Sequence, residues 1–245
     1  LSILFFITAI LYSSVGFGGG STYLALLLIW DVPYLIFPII ALLCNIIVVS
    51  GNSFNYIRAG NHNFKLLLPF LIGSVPLAFL GGTLKIDKDI FEILLFFVLS
   101  IAGFLLLINN KSYENNNSIV KRLNFIISLI IGSVLGLISG IVGIGGGIFL
   151  SPILFLLKAE KPKIIVTTAS LFILINSISG ILGQLTKENI LTELSNYIPL
   201  FICVFIGGLL GNYLNLKIFT SRVLAIITSL LVIFVSIRMG IKIFF

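Results

Sequence analysis

The stretch Gly16-Phe17-Gly18-Gly19-Gly20 returns 127 positions later as Gly143-Ile144-Gly145-Gly146-Gly147, each time within a long apolar run. Each glycine in a helix costs about 1 kcal/mol relative to alanine, so three in a row favour a break. A break inside hydrocarbon frees backbone N–H and C=O groups, which only surrounding protein or a water-filled cavity can accept. The duplicated motif therefore indicates a membrane protein with an internal repeat and a site at the two breaks.

The composition of the chain predicts the same class. Of its 245 residues, 59% are hydrophobic and 9% are charged, whereas a soluble domain carries about 25% charged residues. Apolar runs long enough to span a bilayer lie near 1–30, 33–56, 64–84, 90–109, 123–157, 162–185, 196–216 and 220–244. We predict an all-α, multi-pass protein of the inner or plasma membrane, with the lipid bilayer as its partner and a homo-oligomer left open.

Several classes of function are disfavoured. The net charge is +7, but the basic residues are spread over short loops, which is typical of membrane topology rather than of nucleic-acid binding. Cys44 and Cys203 lie in apolar runs and are expected to be core residues. The single histidine, His62, has no cysteine near it, so no metal spacing exists. An enzyme needs a nucleophile with a base, or a metal, and we expect no catalytic residue, metal or cofactor.

The two motifs also align further residues of the chain in the same order. The matched pairs are Pro33 with Pro162, Ser50-Gly51 with Ser179-Gly180, Pro69 with Pro199, and Gly81 with Gly211. The polar stretch 109–118 has the composition of a linker. We predict one transporter domain over 1–245, formed by two four-segment repeats, 1–110 and 119–245, with half-helices at the breaks in segments 1 and 5.

Loop charges favour inverted repeats. If all eight segments cross the membrane, the 15 basic residues divide eight to seven and give no orientation. If segments 1 and 5 instead turn back as re-entrant hairpins, the division is ten to five. The second arrangement obeys the positive-inside rule and turns the halves into inverted repeats. It places both termini outside.

The restarting half-helices predict a site for a small anion. A helix N-terminus carries about +0.5 of a charge and unpaired N–H groups, and glycine lets an oxyanion approach the backbone. The predicted binding residues are Gly18, Gly19, Gly20, Ser21, Asn45, Ser50, Gly145, Gly146, Gly147, Thr168, Ser170 and Asn176. Two alternatives stay open for such residues. G-x-x-x-G spacing also lets helices pack closely, which we prefer for Gly132, Gly136, Gly207 and Gly211, and membrane hydroxyls often bond their own helix.

The two G-x-G-G-G copies, Ser151-Pro152, Pro162, Thr168-Ala169-Ser170-Leu171 and Tyr56-Ile57-Arg58-Ala59-Gly60 resemble the TauE/SafE family of sulfite and organosulfonate exporters. The resemblance covers essentially the whole chain and implies a multi-pass transporter of small sulfur-containing anions. We therefore predict transport of a small oxyanion such as sulfite, an organosulfonate or a related organic acid. The alternative is a membrane scaffold or assembly protein without transport.

Overall fold

The computed structural model describes residues 1–14, 16–30, 32–108, 123–187, 194–214 and 221–244. Within these ranges the chain is helical and contains no strand, which confirms the predicted all-α class. The helices are α1 Ser2–Ser13, α2 Gly20–Ile29, α3 Phe37–Arg58, α4 Phe64–Thr83, α5 Lys88–Ile108, α6 Phe125–Val142, α7 Gly147–Leu156, α8 Pro162–Gln184, α9 Ile198–Leu214 and α10 Ser221–Phe244. The predicted linker, 109–118, lies outside the described residues.

Five of the described helical segments are long and apolar enough to cross a membrane. They are Tyr34–Arg58, Phe64–Thr83, Phe125–Val142, Pro162–Gln184 and Ser195–Tyr213. The predicted runs 1–30 and 123–157 each contain two helices, α1 and α2 in the first and α6 and α7 in the second, with the glycine motif between them.

Local sequence explains where several helices start and stop. The Asn63 and Asn124 side chains accept hydrogen bonds from the N–H groups of Leu66 (3.2 Å) and Ile126 (2.9 Å), which caps the N-termini of α4 and α6. Proline occupies the first turn of both α3 and α8, where its missing N–H costs nothing. Helix α6 ends at Gly143, whose φ of 90° is the left-handed conformation that favours glycine.

A stripe of glycines on α6 packs against the backbone of α4. A methyl group added at any of these glycines would overlap a carbonyl group of α4, and the facing pairs are Gly132 with Phe70, Gly136 with Ser74, and Gly140 with Ala78. Residue numbers increase together along the two helices, so α4 and α6 run parallel. The contact is the close packing predicted from the G-x-x-x-G spacing.

Helices α1 and α9 form a second pair of this kind. Gly207 lies against the carbonyl of Phe6, and Gly211 lies against the carbonyl of Ile10 and the hydroxyl of Ser13. The residue numbers again rise together, so α1 and α9 also run parallel and in close contact.

Contacts between the remaining helices give their relative directions. Helix α3 runs antiparallel to α8, since the Ser53 and Ser170 hydroxyls are hydrogen-bonded at 3.0 Å while Gly180 lies beside Leu42. Helix α4 is parallel to α8, with Ser179 donating to the Val75 carbonyl at 2.6 Å and Gly183 against Phe79. Helix α9 is parallel to α3, where Val48 faces Gly208 and Asn55 bonds Asn212. Thus α1, α3 and α9 point one way, and α4, α6 and α8 point the other.

Two loops from different parts of the chain meet at one end of the helices. The Asn63 amide, between α3 and α4, donates to the Glu160 carboxylate, between α7 and α8, at 3.2 Å. The C-terminus of α3 and the N-terminus of α8 therefore lie at the same end of the molecule, as their antiparallel packing also requires.

Candidate functional site at the glycine breaks

The first break joins α1 to α2 through left-handed glycines. Gly16 has φ 88° and Gly19 has φ 82°, values that cost a residue with a side chain about 1–2 kcal/mol. The N–H groups of Gly16 and Phe17 both donate to the Tyr12 carbonyl, at 3.0 and 3.1 Å, which caps the C-terminal end of α1. Helix α2 then restarts with the N–H of Thr22 donating to the Gly19 carbonyl at 2.9 Å.

The second break has the same construction between α6 and α7. Gly143, Gly145 and Gly146 have φ values of 90°, 79° and 74°. The N–H groups of Phe149 and Leu150 donate to the Gly146 carbonyl at 3.2 and 3.1 Å, which starts α7. At both breaks the residue before the new helix, Gly19 or Gly146, is a left-handed glycine, so the backbone path itself favours glycine at these two positions.

The two breaks meet around the side chain of Asn45 on α3. The Asn45 Nδ2 group donates to the carbonyl oxygen of Ile144 at 3.2 Å. A methyl group on Gly20 would lie 2.6 Å from that carbonyl oxygen, and one on Gly145 would lie 2.8 Å from Asn45 Nδ2. A methyl group on Gly18 would overlap Asn45 Oδ1. One amide thus touches the glycines of both motifs.

Helices α2 and α7 both begin beside this amide. The N–H groups of the first residues, such as Gly20 and Gly147, precede the first intrahelical hydrogen bonds and have no partner within the helix. Each ten-residue helix adds a partial positive charge of about +0.5 at its start. The arrangement can therefore hold negative charge with backbone donors alone.

Several buried polar groups on α2, α7 and the helices packed around them have no hydrogen-bond partner among the residues that the structure describes. They are Ser21 Oγ, Tyr23 Oη, Asn45 Oδ1, Ser139 Oγ, Ser151 Oγ, Asn176 Oδ1 and Ser177 Oγ. Leaving such a group unpaired costs about 1–3 kcal/mol, so a concentration of them is a feature that a bound polar ligand would explain. Ser177 Oγ lies 3.2 Å from the position of a methyl group on Gly145, which brings it beside the second break.

Some predicted binding residues already have partners or lie elsewhere. Thr168 donates to the Ile164 carbonyl at 2.8 Å, Asn176 Nδ2 donates to Phe172 at 2.9 Å, and Ser170 pairs with Ser53. Ser50 is exposed on α3, where its hydroxyl donates to the Ile46 carbonyl one turn earlier. The structure thus brings Gly18, Gly20, Gly145 and Asn45 together and leaves Ser50 outside this group.

Sequence reasoning missed one residue at the meeting point. Methyl groups on Gly18, Gly145 and Gly147 would all contact the Ile173 side chain, within 3.2 Å. This side chain forms an apolar wall against both motifs. An isoleucine within an apolar run carries no signal that distinguishes it from its neighbours, so only the packing of α8 identifies it.

A cavity of about 220 Å³ lies away from the breaks, between the end of α2 and the starts of α3 and α5. Its lining residues are Leu28, Val32, Pro33, Tyr34, Phe37, Lys88, Phe91, Glu92 and Leu95, none of which is a predicted binding residue. Lys88 and Glu92 form an ion pair at its edge, with 3.9 Å between Nζ and Oε1.

One lysine near the end of α8 has a lowered pKa. Burial, and secondarily the charge of Lys85, lower the pKa of Lys187 to about 8. Its ammonium group donates to Gln184 Oε1 at 2.9 Å, and Gln184 in turn donates to the Gly140 carbonyl at 2.8 Å. This chain of bonds connects the end of α8 to the last turn of α6.

Comparisons with known proteins agree with the membrane-helical structure. The sequence profile of the family described as Sulfite exporter TauE/SafE matches residues 1–239. The chain is 26% identical over 236 residues to the probable membrane transporter protein y4hK of Sinorhizobium fredii (strain NBRC 101917 / NGR234), covering 94% of this chain and 93% of that protein. It is 22% identical over 261 residues to the probable membrane transporter protein YunE of Bacillus subtilis (strain 168), covering 95% and 94%.

No solved structure matches the chain significantly. The family match over nearly the whole length, the transporter relatives and the apolar helices agree on a membrane transporter. The chain belongs to the TauE/SafE sulfite exporter family.

Proposed function

We propose that this protein is a multi-pass plasma-membrane transporter that carries a small oxyanion with its charged head between the starts of α2 and α7. The observation that carries the proposal is the Asn45 amide, which touches glycines of both breaks. The substrate is sulfite, an organosulfonate or a related organic acid, in keeping with the description of the family.

The proposed site holds the anion without a basic side chain. In this proposal Gly18, Gly19, Gly20, Gly145, Gly146 and Gly147 provide the backbone, and Ser21 and Asn45 provide polar side chains. Thr168, Ser170 and Asn176 would first have to exchange their present hydrogen bonds for the anion. A neutral site releases its ligand more readily than a buried lysine would, because no fixed full charge has to be left unpaired. Such reversible binding is what a carrier needs.

We propose that 1–110 and 119–245 are inverted repeats, and equivalent contacts support this. Gly81 lies against the Leu137 carbonyl, while Gly211 lies against the Ile10 carbonyl. Gly81 and Gly211 are partners in the sequence alignment, and Leu137 follows Ile10 by the same 127 positions that separate the motifs. The equivalent helices α1 and α6 run in opposite directions, as inversion requires.

Segments 1 and 5 are proposed to be re-entrant hairpins. Support comes from the bond between Asn63 and Glu160, because two loops on opposite faces of a membrane could not touch. Helix α2 has ten residues, about 15 Å of rise and half of a hydrocarbon core of ~30 Å. The face that carries Asn63 and Glu160 then holds ten of the 15 basic residues and is the cytoplasmic one.

The driving force is proposed to be the membrane potential. The acidic residues of the chain lie at the ends of the apolar runs or in loops, whereas proton-coupled carriers place ionisable groups within the membrane. Moving one charge through 100 mV is worth about 2.3 kcal/mol, enough to drive an anion outward. If the anion flux does not change with an imposed membrane potential but does change with a pH gradient, this part of the proposal is overturned.

Proteoliposomes loaded with sulfite, ethanesulfonate or sulfate test the function as a whole. We expect saturable flux of at least one of these anions, and its loss in Gly146→Val while membrane insertion persists. If no tested anion moves and the variant instead fails to assemble in the membrane, the scaffold alternative is favoured.

A further inference from the structure

We infer that the transported anion carries a hydroxyl group near its charged head, and that Asn45 Oδ1 accepts a hydrogen bond from it. This inference rests on the proposed anion-binding function of the glycine breaks. It comes from the direction of one buried amide and from the kinds of polar atom that surround it.

The orientation of the Asn45 amide follows from its neighbour. Amide nitrogen and oxygen are assigned from the hydrogen-bond network, and the Ile144 carbonyl 3.2 Å away can only accept. The nitrogen must therefore face Ile144, which leaves Oδ1 directed at Gly18. Asn45 is completely buried, and its Oδ1 has no hydrogen-bond partner among the described residues.

The unpaired atoms at the breaks differ in what they can bind. Backbone N–H groups at the starts of α2 and α7 only donate, and the hydroxyls of Ser21 and Ser177 can donate, so all of them suit an oxyanion. Asn45 Oδ1 only accepts. An alkylsulfonate or sulfate ion offers acceptors alone and would place lone pairs against this oxygen. A ligand that pairs every group must bring a donor of its own.

The donor is a neutral hydroxyl rather than an ammonium group. The starts of α2 and α7 both present positive charge to the site, and no acidic residue of the sequence lies within the motifs or beside Asn45 along α3. A buried ammonium without a carboxylate partner is costly. One neutral amide oxygen can accept the hydrogen bond of a hydroxyl group, but it cannot compensate the charge of a buried cation.

Three sulfonates of similar size test the inference on the purified, full-length protein. They are 2-hydroxyethanesulfonate, ethanesulfonate and 2-aminoethanesulfonate, and their dissociation constants are measured by calorimetry. We expect the hydroxyl compound to bind about tenfold more tightly than ethanesulfonate, the effect of one well-formed hydrogen bond, and the amino compound to bind least tightly. In Asn45→Leu the hydroxyl preference should vanish, whereas Asn55→Leu, on the exposed side of the same helix, should keep it.

Each result has a distinct meaning. Equal binding of the hydroxyl and plain sulfonates, or strongest binding of the amino compound, overturns the inference and leaves the anion site standing. A hydroxyl preference that survives in Asn45→Leu overturns the assignment to Asn45. If none of the three sulfonates binds but sulfite does, the inference is overturned and the anion site stands. If sulfite also fails to bind, the proposed function itself is contradicted. The ligand series needs only the unmodified protein, so it tests the hydroxyl preference even if Asn45→Leu does not fold.

Discussion

Asn45 on α3 donates a hydrogen bond of 3.2 Å to the backbone carbonyl of Ile144, which lies 99 residues further along the chain between two glycines of the second break. The same amide contacts Gly18 and Gly20 of the first break. Two breaks with no direct peptide connection are thus joined through one side chain. A rearrangement that separates the breaks has to release this bond.

Left-handed backbone at the second break is predicted to be essential for transport. Gly146 has φ 74°, and a methyl group on it would lie 2.8 Å from Phe172 Cε1. We expect Gly146→Ala to lower anion flux by at least tenfold and to destabilise the folded protein, because the backbone strain of about 1–2 kcal/mol adds to a steric conflict. Flux in proteoliposomes and thermal unfolding in detergent measure the two effects.

Gly60 provides the matched control for that substitution. Its φ of 72° is nearly the same, but nothing lies within 4 Å of an added methyl group. We therefore expect Gly60→Ala to lose stability through backbone strain but to keep its anion flux. Equal loss of flux in both variants would mean that the break itself has no special role.

The close packing of α6 against α4 is predicted to affect the stability of the folded protein rather than anion transport. A methyl group at Gly136 would overlap the Ser74 carbonyl, whereas one at Gly208 of α9 would meet its nearest atom at 3.8 Å. We expect Gly136→Ala to destabilise the protein by about 1–3 kcal/mol, the usual cost of overpacking, and Gly208→Ala to be neutral. Equilibrium unfolding in mixed detergent micelles measures both, and a neutral Gly136→Ala would contradict the described contact.

The re-entrant arrangement makes a prediction about sidedness. In a protein whose Cys44 and Cys203 are replaced by alanine, single cysteines are placed at Ala59, Lys161 and Leu84, all of which are exposed. We expect a membrane-impermeant thiol reagent to label Ala59→Cys and Lys161→Cys from the same side, and Leu84→Cys from the other. Labelling of the first two from opposite sides would mean that segment 5 crosses the membrane completely.

Lys187 is predicted to titrate well below an ordinary lysine. Burial and Lys85 lower its pKa to about 8, so between pH 8 and an unfolded-state pKa of about 10.4 the unfolded chain binds more protons than the folded one. The folded protein should therefore gain stability as the pH rises through this window. Thermal unfolding from pH 7 to 11 measures the gain.

Lys187→Met supplies the comparison for this titration. The variant lacks the ammonium group, so its stability should rise less between pH 8 and 10 than that of the unmodified protein. Amine-specific labelling of Lys187 should follow the same titration, with a midpoint near 8. A labelling midpoint above 10 would show that the amine is fully hydrated.

The apolar composition and the duplicated glycines determined the helical membrane class, the positions of the helices and the places where two runs are interrupted. These are local properties, because a buried backbone must bond to itself and three glycines in a row weaken a helix. Only the tertiary structure decided which faces of the helices meet. Ser50 and Asn45 are five residues apart on α3, yet one is exposed and the other touches both breaks. Asn45 and Ile173 join the site through contacts with distant segments, and such contacts depend on how whole helices cross.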